Sequence, residues 1–379
     1  MSADAPRLLF VVTEDWYFVS HRLPLAIAAL RAGYRVAVAT RVQDHAAQIA
    51  EAGVELLTLK RWRRSSLNPL LEVAAVAELA GVVRHWRPDI VHLVALKPVL
   101  YGGLAARLGG AGLRVNALAG LGFVFVQGRA LARLLRPLIK LAFRWTLGGE
   151  RAVTIVQNPD DGDLLVREGL IEASHLRLIR GSGVDLQRFN ATELPVERPI
   201  VLLMSRMLWN KGVGEFVEAA RQATARGADA RFVLVGDPDP ENPAAIPRGT
   251  LEQWSESGVV EWWGQRSDAP TVLAQAQIVV LPSYREGLPK VLLEAAASGR
   301  PMIATDVPGC REVVEPGVTG LLVPARDAGR LADAMLQLLA DPARCRQMGS
   351  RARQLAEREF GIEAVVARTL ELYREMLGR

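Results

Sequence analysis

Glu286 and Glu294 flank the predicted start of a helix in the second half of the chain. The apolar run Ile278–Leu281 predicts a buried parallel strand, and the run Lys290–Ser298 predicts a helix after a short turn. Parallel sheets bind ligands at the carboxyl ends of their strands. Free N–H groups at a helix start favour a phosphate, and acceptor-only carboxylates suit sugar or ribose hydroxyls. The pattern therefore predicts a site for a ligand that carries both phosphate and hydroxyl groups.

Two cations, Arg206 and Lys211, follow another predicted strand, Ile200–Met204. Two cations on one outward-facing loop can be a solvated turn, or they can bind an anionic group. Fixed cations stabilise the negative charge of a bound phosphate. The two cations therefore fit the phosphate that is predicted for the Glu286 loop.

The motifs occur in an order that resembles the retaining GT-B glycosyltransferases of family 4. The pair Glu286 and Glu294 matches their E-x7-E element, and Ser205–Gly212 is similar to their G-R-L-x-x-x-K-G element, with Ser in place of the first Gly. The likeness continues through residues 299–309 and 320–324. Glutamates are common on helices, so E-x7-E alone is a weak signal, but the whole run in order is specific. The resemblance covers the C-terminal half closely and the N-terminal half loosely.

The resemblance implies that cations and backbone amides hold the diphosphate of a nucleotide-sugar donor, while carboxylates hold its hydroxyls. The implied residues are Arg206, Lys211, Gly287 and Leu288 at the diphosphate, Glu286 at the sugar, Glu294 at the ribose, and the backbone near Gln265 and Arg266 beside the nucleobase. The resemblance also implies retention of configuration, because the departing phosphate takes the acceptor proton on the same face and no protein nucleophile is needed. The only Asp-x-Asp spacings, starting at Asp161 and Asp237, do not suit a metal bridged to diphosphate, so no metal and no cofactor is expected.

The N-terminal half alternates predicted strands and helices, which favours a parallel sheet with helices on both faces. It lacks the G-x-G-x-x-G fingerprint of dinucleotide enzymes, which counts against a hydride-transfer enzyme. We expect a loop over Thr13–Ser20, and the resemblance places this loop beside the donor phosphates and the acceptor. His21 could contact a ligand there or cap the following helix. His92 is expected to end a strand and could face the cleft, but a buried imidazole is the favoured interpretation.

A stretch without acidic residues runs from Ile90 to Gly149 and contains a regularly spaced basic stripe. Its spacing of three and four residues places these cations on one face of a helix, beside a broad apolar face. The stripe consists of Arg129, Arg133, Arg136, Lys140 and Arg144. This pattern is typical of a helix that lies on an anionic membrane surface, although a core helix with a solvated arginine face remains the alternative. Nucleic acid is not predicted, because no nucleic-acid motif accompanies the stripe.

The 379 residues predict two domains and a crossing helix. The expected fold is α/β, with two Rossmann-like doubly wound parallel sheets that face a cleft in the GT-B manner. We expect a first domain over 1–190, a second over 191–361, and a helix over 362–379 that packs back on the first. The two cysteines lie far apart and predict reduced thiols in a cytosolic protein. Neither a signal peptide nor a spanning helix is predicted.

These observations predict an enzyme that transfers a sugar from a nucleotide donor, expected to be a UDP-sugar, with retention. Residues 96–98 and 119–125 look like the branch that acts on undecaprenyl-diphosphate-linked sugars. The expected acceptor is therefore a lipid-linked saccharide, and the expected location is the cytoplasmic face of the cell membrane. A soluble transferase with a sugar-phosphate acceptor and a non-catalytic nucleotide-sugar-binding protein are the alternatives.

Overall fold

The computed structural model describes residues 5–64, 68–120, 140–195 and 197–378. These residues form two compact units. The first takes the chain up to Ser182 and again from Val365, and the second takes Gly183–Ala364. In the described ranges, every helix is too short or too polar to cross a lipid bilayer. Three residues of the basic stripe, Arg129, Arg133 and Arg136, lie outside the described residues.

The first unit is built on a parallel sheet of seven described strands. Its strands are β1 Arg7–Glu14, β2 Arg35–Arg41, β3 Glu55–Thr58, β4 Ile90–Val94, β5 Leu113–Ala117, β6 Ala152–Val156 and β7 Leu176–Leu178. Their spatial order is β3-β2-β1-β4-β5-β6-β7. The order of winding reverses between β1 and β4, so the loops that leave these two strands separate to opposite sides of the sheet. Such a switch point is where doubly wound sheets bind ligands.

Helices cover both faces of this sheet. They are α1 Asp15–His21, α2 Leu23–Arg31, α3 Ala46–Glu51, α4 Pro69–Trp86, α5 Gly103–Leu108, α6 140–147, α7 Pro159–Arg167 and, from the end of the chain, α14 Ile362–Leu377. Alternate residues of β1 enter different cores, since Leu8 and Phe10 pack on the α2 face while Leu9 and Val11 pack on the α4 face. Tyr373 of α14 belongs to the same core as Phe10.

The expected loop over 13–20 is wrong, because β1 extends to Glu14 and α1 begins at Asp15. The Asp15 carboxylate is fully buried and accepts hydrogen bonds from three backbone N–H groups. They belong to Trp16 at 2.8 Å, Gln43 at 2.7 Å and His45 at 3.0 Å. A carboxylate at a helix start is favourable, and here it also fixes the chain that follows β2. Sequence periodicity over so short a segment gave no helix signal.

His92 is buried, as the sequence predicts, but it lies in the middle of β4 and not at the strand end. Its Nδ1 lies 2.5 Å from the hydroxyl oxygen of Tyr373 on α14. Burial, and then the nearby Arg22 guanidinium, hold the pKa of the imidazole well below its ordinary value of 6.5. The neutral ring is therefore a core element that joins the C-terminal helix to the sheet.

The second unit repeats the same winding in a parallel sheet of six described strands. Its strands are β8 Ile200–Met204, β9 Arg231–Val235, β10 Glu261–Trp262, β11 Ile278–Leu281, β12 Met302–Thr305 and β13 Gly320–Val323. The spatial order is β10-β9-β8-β11-β12-β13, so the switch point lies between β8 and β11. The apolar runs predicted as β8 and β11 have the same bounds in the structure.

Six helices accompany this second sheet in the described residues. They are α8 Val213–Ala225, α9 Arg248–Glu256, α10 Ala269–Gln275, α11 Lys290–Ala297, α12 Ala328–Leu339 and α13 Pro342–Leu355. Two hydrophobic cores again divide alternate strand residues, with Leu202 and Val279 in one and Val201 and Val280 in the other. Both central strands are therefore buried on both faces, which places the polar residues of this unit in the loops at the strand ends.

Candidate active site

The loops that follow β8 and β11 leave neighbouring parallel strands at the same edge of the second sheet. The two loops touch through their backbones, since the Tyr284 N–H donates to the Asn210 carbonyl at 3.0 Å. Gly212, with φ of +73°, brings the first loop so close that a Cβ there would lie 2.1 Å from the Pro282 carbonyl oxygen. Only glycine fits this position without displacing the backbone. The sequence therefore brings the residues after Met204 and after Leu281 into one loop cluster.

Lys211 and Glu286 meet in this cluster, although 75 positions separate them in the sequence. The Lys211 Nζ donates to Glu286 Oε1 at 2.5 Å. Both side chains are largely shielded, with 21% of Lys211 and 11% of Glu286 exposed. A shielded, charge-assisted hydrogen bond fixes both groups more strongly than a surface ion pair does. The pair thus presents a fixed cation and a fixed carboxylate at the switch point of the sheet.

Arg206 lies on the same loop as Lys211 but pairs with a different carboxylate. Its Nη1 donates to Asp239 Oδ2 at 2.7 Å. Asp239 belongs to the loop after β9, which is the other neighbour of β8 in the sheet. The Arg206 side chain is 45% exposed, so the guanidinium remains open to solvent on its other side. Arg206 is therefore available to an anion at this edge of the sheet.

Glu294 is buried on α11, one turn beyond Lys290. Lys290 Nζ lies 3.4 Å from Glu294 Oε1, the usual arrangement of an i,i+4 pair. Burial raises the pKa of the Glu294 carboxyl above its ordinary value of 4.5, while the charges of Lys290 and Arg188 act in the opposite direction. A carboxyl in this setting is a strong acceptor for a ligand hydroxyl once it is ionised.

Gly287 and Leu288 form the approach to α11, whose first residue is Lys290. The Gly287 carbonyl is contacted from the next loop by Gly309, where a Cβ would lie 2.3 Å from its oxygen. Leu288 is buried in the core of the unit. The capping residue Pro289 provides no side-chain hydrogen bond to the helix start. The amides near this helix start are therefore held in place by packing, in a position that favours an anion.

The remaining predicted site residues lie elsewhere. Arg266 forms a bidentate ion pair with Asp268 at 2.8 Å and 2.7 Å and is substantially exposed. His21 ends α1 of the first unit, where its ring stacks on Tyr17 at a centroid distance of 4.0 Å and its Nδ1 lies 2.6 Å from the Ser20 hydroxyl. The imidazole is thus part of the last turn of α1, and it does not cap α2.

The two described members of the basic stripe differ in their surroundings. Lys140 forms an ion pair with Glu168 of the loop after α7. Arg144 is exposed, as are its neighbours Leu141 and Trp145, whereas Phe143 is buried. Helix α6 therefore has one core face and one solvent face that mixes a cation with apolar side chains.

Sequence reasoning missed a tyrosine that joins three elements of the second unit. The Tyr284 hydroxyl donates to Glu215 Oε1 of α8 at 2.5 Å, and Arg326 lies 4.5 Å above its ring. Desolvation and then the Glu215 carboxylate raise the pKa of Tyr284 to about 12. Its position two residues before Glu286 could have indicated that Tyr284 lies at the site. The described residues contain no cluster of three or more His, Cys, Asp or Glu side chains that could hold a metal ion.

Two family models match the chain, one in each half. "Glycosyl transferase 4-like" matches residues 7–156, and "Glycosyl transferases group 1" matches residues 198–341. The N,N'-diacetylbacillosaminyl-diphospho-undecaprenol alpha-1,3-N-acetylgalactosaminyltransferase of Campylobacter jejuni is 28% identical over 369 residues, which cover 94% of this chain and 95% of that protein. The UDP-Gal:alpha-D-GlcNAc-diphosphoundecaprenol alpha-1,3-galactosyltransferase of Escherichia coli is 25% identical and covers 82% of each chain.

Solved structures share the fold over nearly all of the chain. The sucrose-phosphate synthase of Thermosynechococcus elongatus superposes with a TM-score of 0.78 at 23% identity and covers 98% of this chain and 99% of its own. HepE of Anabaena in complex with UDP superposes with a TM-score of 0.76 at 18% identity and covers 97% and 100%. At these identities the likeness establishes the fold and no more. Together with the two family models, it shows that the chain belongs to the glycosyltransferases of the GT-B fold, and the family 4 resemblance inferred from the E-x7-E run is confirmed.

Proposed function

We propose that the protein transfers a sugar from a UDP-sugar, with retention of configuration, to an undecaprenyl-diphosphate-linked saccharide. The observation that carries the proposal is the contact of Lys211 with Glu286 at the switch point of the second sheet. The names of the Campylobacter and Escherichia relatives support the class of acceptor. The UDP bound to HepE supports the class of donor.

In this proposal the second unit holds the donor. Arg206 and Lys211 bind the diphosphate together with the amides of Gly287 and Leu288. Glu286 accepts hydrogen bonds from sugar hydroxyls and Glu294 accepts them from the ribose, since ionised carboxylates are acceptors only. The backbone near Arg266 borders the base.

The same residues would act on the reaction itself. As the bond to the sugar breaks, negative charge gathers on the diphosphate, and the fixed Lys211 ammonium and Arg206 guanidinium stabilise that charge. The departing phosphate takes the proton of the acceptor hydroxyl on the same face of the sugar. No protein nucleophile is required on this route, and no metal or cofactor is assigned a role.

The first unit would receive the acceptor. His21 is the polar contact that we assign at the carboxyl edge of its sheet. The basic stripe is assigned to anionic headgroups at the cytoplasmic face of the cell membrane, with Arg144 as its exposed described member. Its remaining residues are Arg129, Arg133, Arg136 and Lys140. Lys140 also pairs with Glu168, which would hold α6 in place.

UDP release tests the proposal against its two alternatives. Purified protein is incubated with a set of UDP-sugars, with and without a prenyl-diphosphate-linked sugar. We expect release that depends on the prenyl-linked acceptor. Release with a sugar phosphate and without lipid would indicate a soluble transferase, and UDP binding without any release would indicate a non-catalytic protein.

A further inference from the structure

The segment after β3 holds three cations in fixed, exposed positions. Trp62 is fully buried in the core of the first unit and anchors the segment. The N–H groups of Lys60 and Arg61 each donate to the Glu78 carboxylate of α4 at 2.9 Å. The side chains of Lys60, Arg61 and Arg63 are exposed. The backbone is therefore attached to α4 while the cationic side chains face solvent.

The first two turns of α4 expose large apolar side chains near the cationic segment, since Lys97 donates both to Glu72 and to the Arg63 carbonyl. Leu70 is 80% exposed, Val73 is 68% exposed and Leu71 is 48% exposed. Elsewhere in the described part of this unit, exposed large apolar side chains occur singly or as the pair Leu141 and Trp145, so three within four positions need an explanation. Because α4 begins at the edge where β3 ends, these residues lie at the carboxyl edge of the sheet.

The carboxylates nearest to these cations are already engaged. Glu72 is paired with Lys97 Nζ at 2.9 Å, and Lys97 also donates to the Arg63 carbonyl. Glu78 accepts the two backbone N–H groups described above. Within the described ranges, the side chains of Lys60, Arg61 and Arg63 form no ion pair. Glu78 keeps its negative charge in these hydrogen bonds and offsets part of the positive charge, so the three cations leave the local charge net positive.

We infer that Lys60, Arg61 and Arg63, with Leu70, Leu71 and Val73, form a docking surface for an anionic membrane, which we call the β3–α4 surface. Exposed aliphatic side chains beside cations can enter the headgroup region while the cations meet anionic lipid. Single-stranded nucleic acid would favour exposed aromatic rings for base stacking, and the one aromatic ring of this segment, Trp62, is buried. The inference rests on the proposed lipid-linked acceptor, and it assigns membrane contact to residues that are not part of the basic stripe.

Vesicle flotation without substrates tests this surface. Wild type and two variants are mixed with phosphatidylcholine vesicles that either contain or lack phosphatidylglycerol. One variant combines Lys60→Ser, Arg61→Ser and Arg63→Ser, and the other combines Leu70→Ser and Val73→Ser. We expect the cation variant to lose at least about tenfold in partitioning to anionic vesicles. We expect the apolar variant to lose a comparable factor.

A matched control removes the same charge from the opposite edge of the same sheet, with Arg31→Ser, Arg35→Ser and Arg151→Ser. These three arginines are exposed near the amino ends of β2 and β6. The control should keep its partitioning, and an equal loss would show that only net charge matters and would overturn the inference. Unchanged vesicle binding of both surface variants would overturn it as well. So would a loss of oligonucleotide binding by the cation variant with vesicle binding unaltered.

Turnover with a short-chain, water-soluble prenyl acceptor separates this inference from the proposed function. Both surface variants should keep wild-type turnover with that acceptor and lose turnover with a vesicle-embedded acceptor. If wild type itself fails with the soluble acceptor but binds anionic vesicles through the β3–α4 surface, the proposed acceptor is wrong and the docking surface stands. If wild type turns over the soluble acceptor and the variants bind vesicles normally, the docking surface is wrong and the proposed function stands.

Discussion

At the scale of single residues, the contact between Lys211 and Glu286 connects a cation to a carboxylate across two loops. The separate motifs predicted that each residue takes part in a site, but sequence spacing carries no information about a contact across 75 positions. The pairing of Arg206 with Asp239 escaped prediction for the same reason. The sequence pattern singled out Asp239 only as part of an Asp-x-Asp spacing, which was weighed as a possible metal site.

Lys211→Ala should lower turnover by about 10²-fold, which is comparable to the loss of one fixed transition-state contact. Glu294→Ala should cost a similar factor, since it removes the buried carboxylate that we propose as the ligand of the ribose. Steady-state UDP release measures both effects. Arg248→Ala serves as the control, because it also removes an ion-paired cation of the second unit but from an exposed helix. Near-normal rates for Lys211→Ala would count against its assigned role.

The buried Glu294 carboxyl should give stability a specific pH dependence. Its pKa is raised in the folded protein above the ordinary 4.5, so the folded state holds a proton that the unfolded chain has released. The stabilising contribution is therefore complete below pH 4.5 and is lost as the pH rises through the folded-state pKa. In Glu294→Gln this dependence is absent. Urea unfolding across this pH range should show the variant gaining stability relative to wild type as the pH rises, and a constant difference would contradict the expectation.

At the scale of elements, prediction succeeded where apolar runs were long and bounded by turn residues. The bounds of β8 and β11 agree with the sequence pattern. Strand β5 was not recognised, because Arg114 and Asn116 interrupt its apolar pattern and are nevertheless buried. The Arg114 guanidinium is accommodated by donating to the Gly148 carbonyl, a partner that only the folded chain supplies. Helix α1 was missed because the buried Asp15 carboxylate stabilises it through contacts with a distant loop.

Gly212→Ala should disrupt the loop cluster far more than a matched glycine substitution in the same unit. Gly227 also has a positive φ, of +88°, but no atom lies within 4 Å of its Cβ position. Gly227→Ala should therefore cost only the strain of a left-handed alanine, about 1–2 kcal/mol. Gly212→Ala adds a clash with the Pro282 carbonyl, which must push the Lys211 loop away from the Glu286 loop. Urea unfolding and UDP titration measure the two effects, and equal behaviour of both variants would contradict this account.

At the scale of the whole molecule, the alternation of strands and helices was enough to predict the fold class, which is a doubly wound parallel sheet in each unit. The resemblance implied that the last helix returns to the first domain, and residues from Val365 onward do belong to the first unit. No sequence pattern indicates that Tyr373 contacts His92, because no motif connects the two positions. Such a contact between distant residues depends on how the helix packs on the sheet, and the periodicity of the sequence does not specify that packing.

Tyr373→Phe should destabilise the first unit selectively. The change leaves His92 Nδ1 buried without a partner, which costs about 1–3 kcal/mol. Scanning calorimetry with and without UDP distinguishes the units, because a ligand raises the transition of the unit that binds it. We expect a lower transition for the first unit and an unchanged UDP-sensitive transition. The control is Tyr101→Phe, whose hydroxyl forms no hydrogen bond in the described part of the chain. A fall in the UDP-sensitive transition would contradict this expectation.

The return of the chain to the first unit has a consequence for its synthesis. Strands β1–β7 leave the ribosome early, but the core beside Phe10 still lacks Tyr373 and Leu370 at that stage. The ribosome must translate all of Gly183–Ala364 before it supplies them. The half of the molecule that is made first is therefore the half whose interior is completed last, and until then its exposed apolar face is a natural substrate for chaperones.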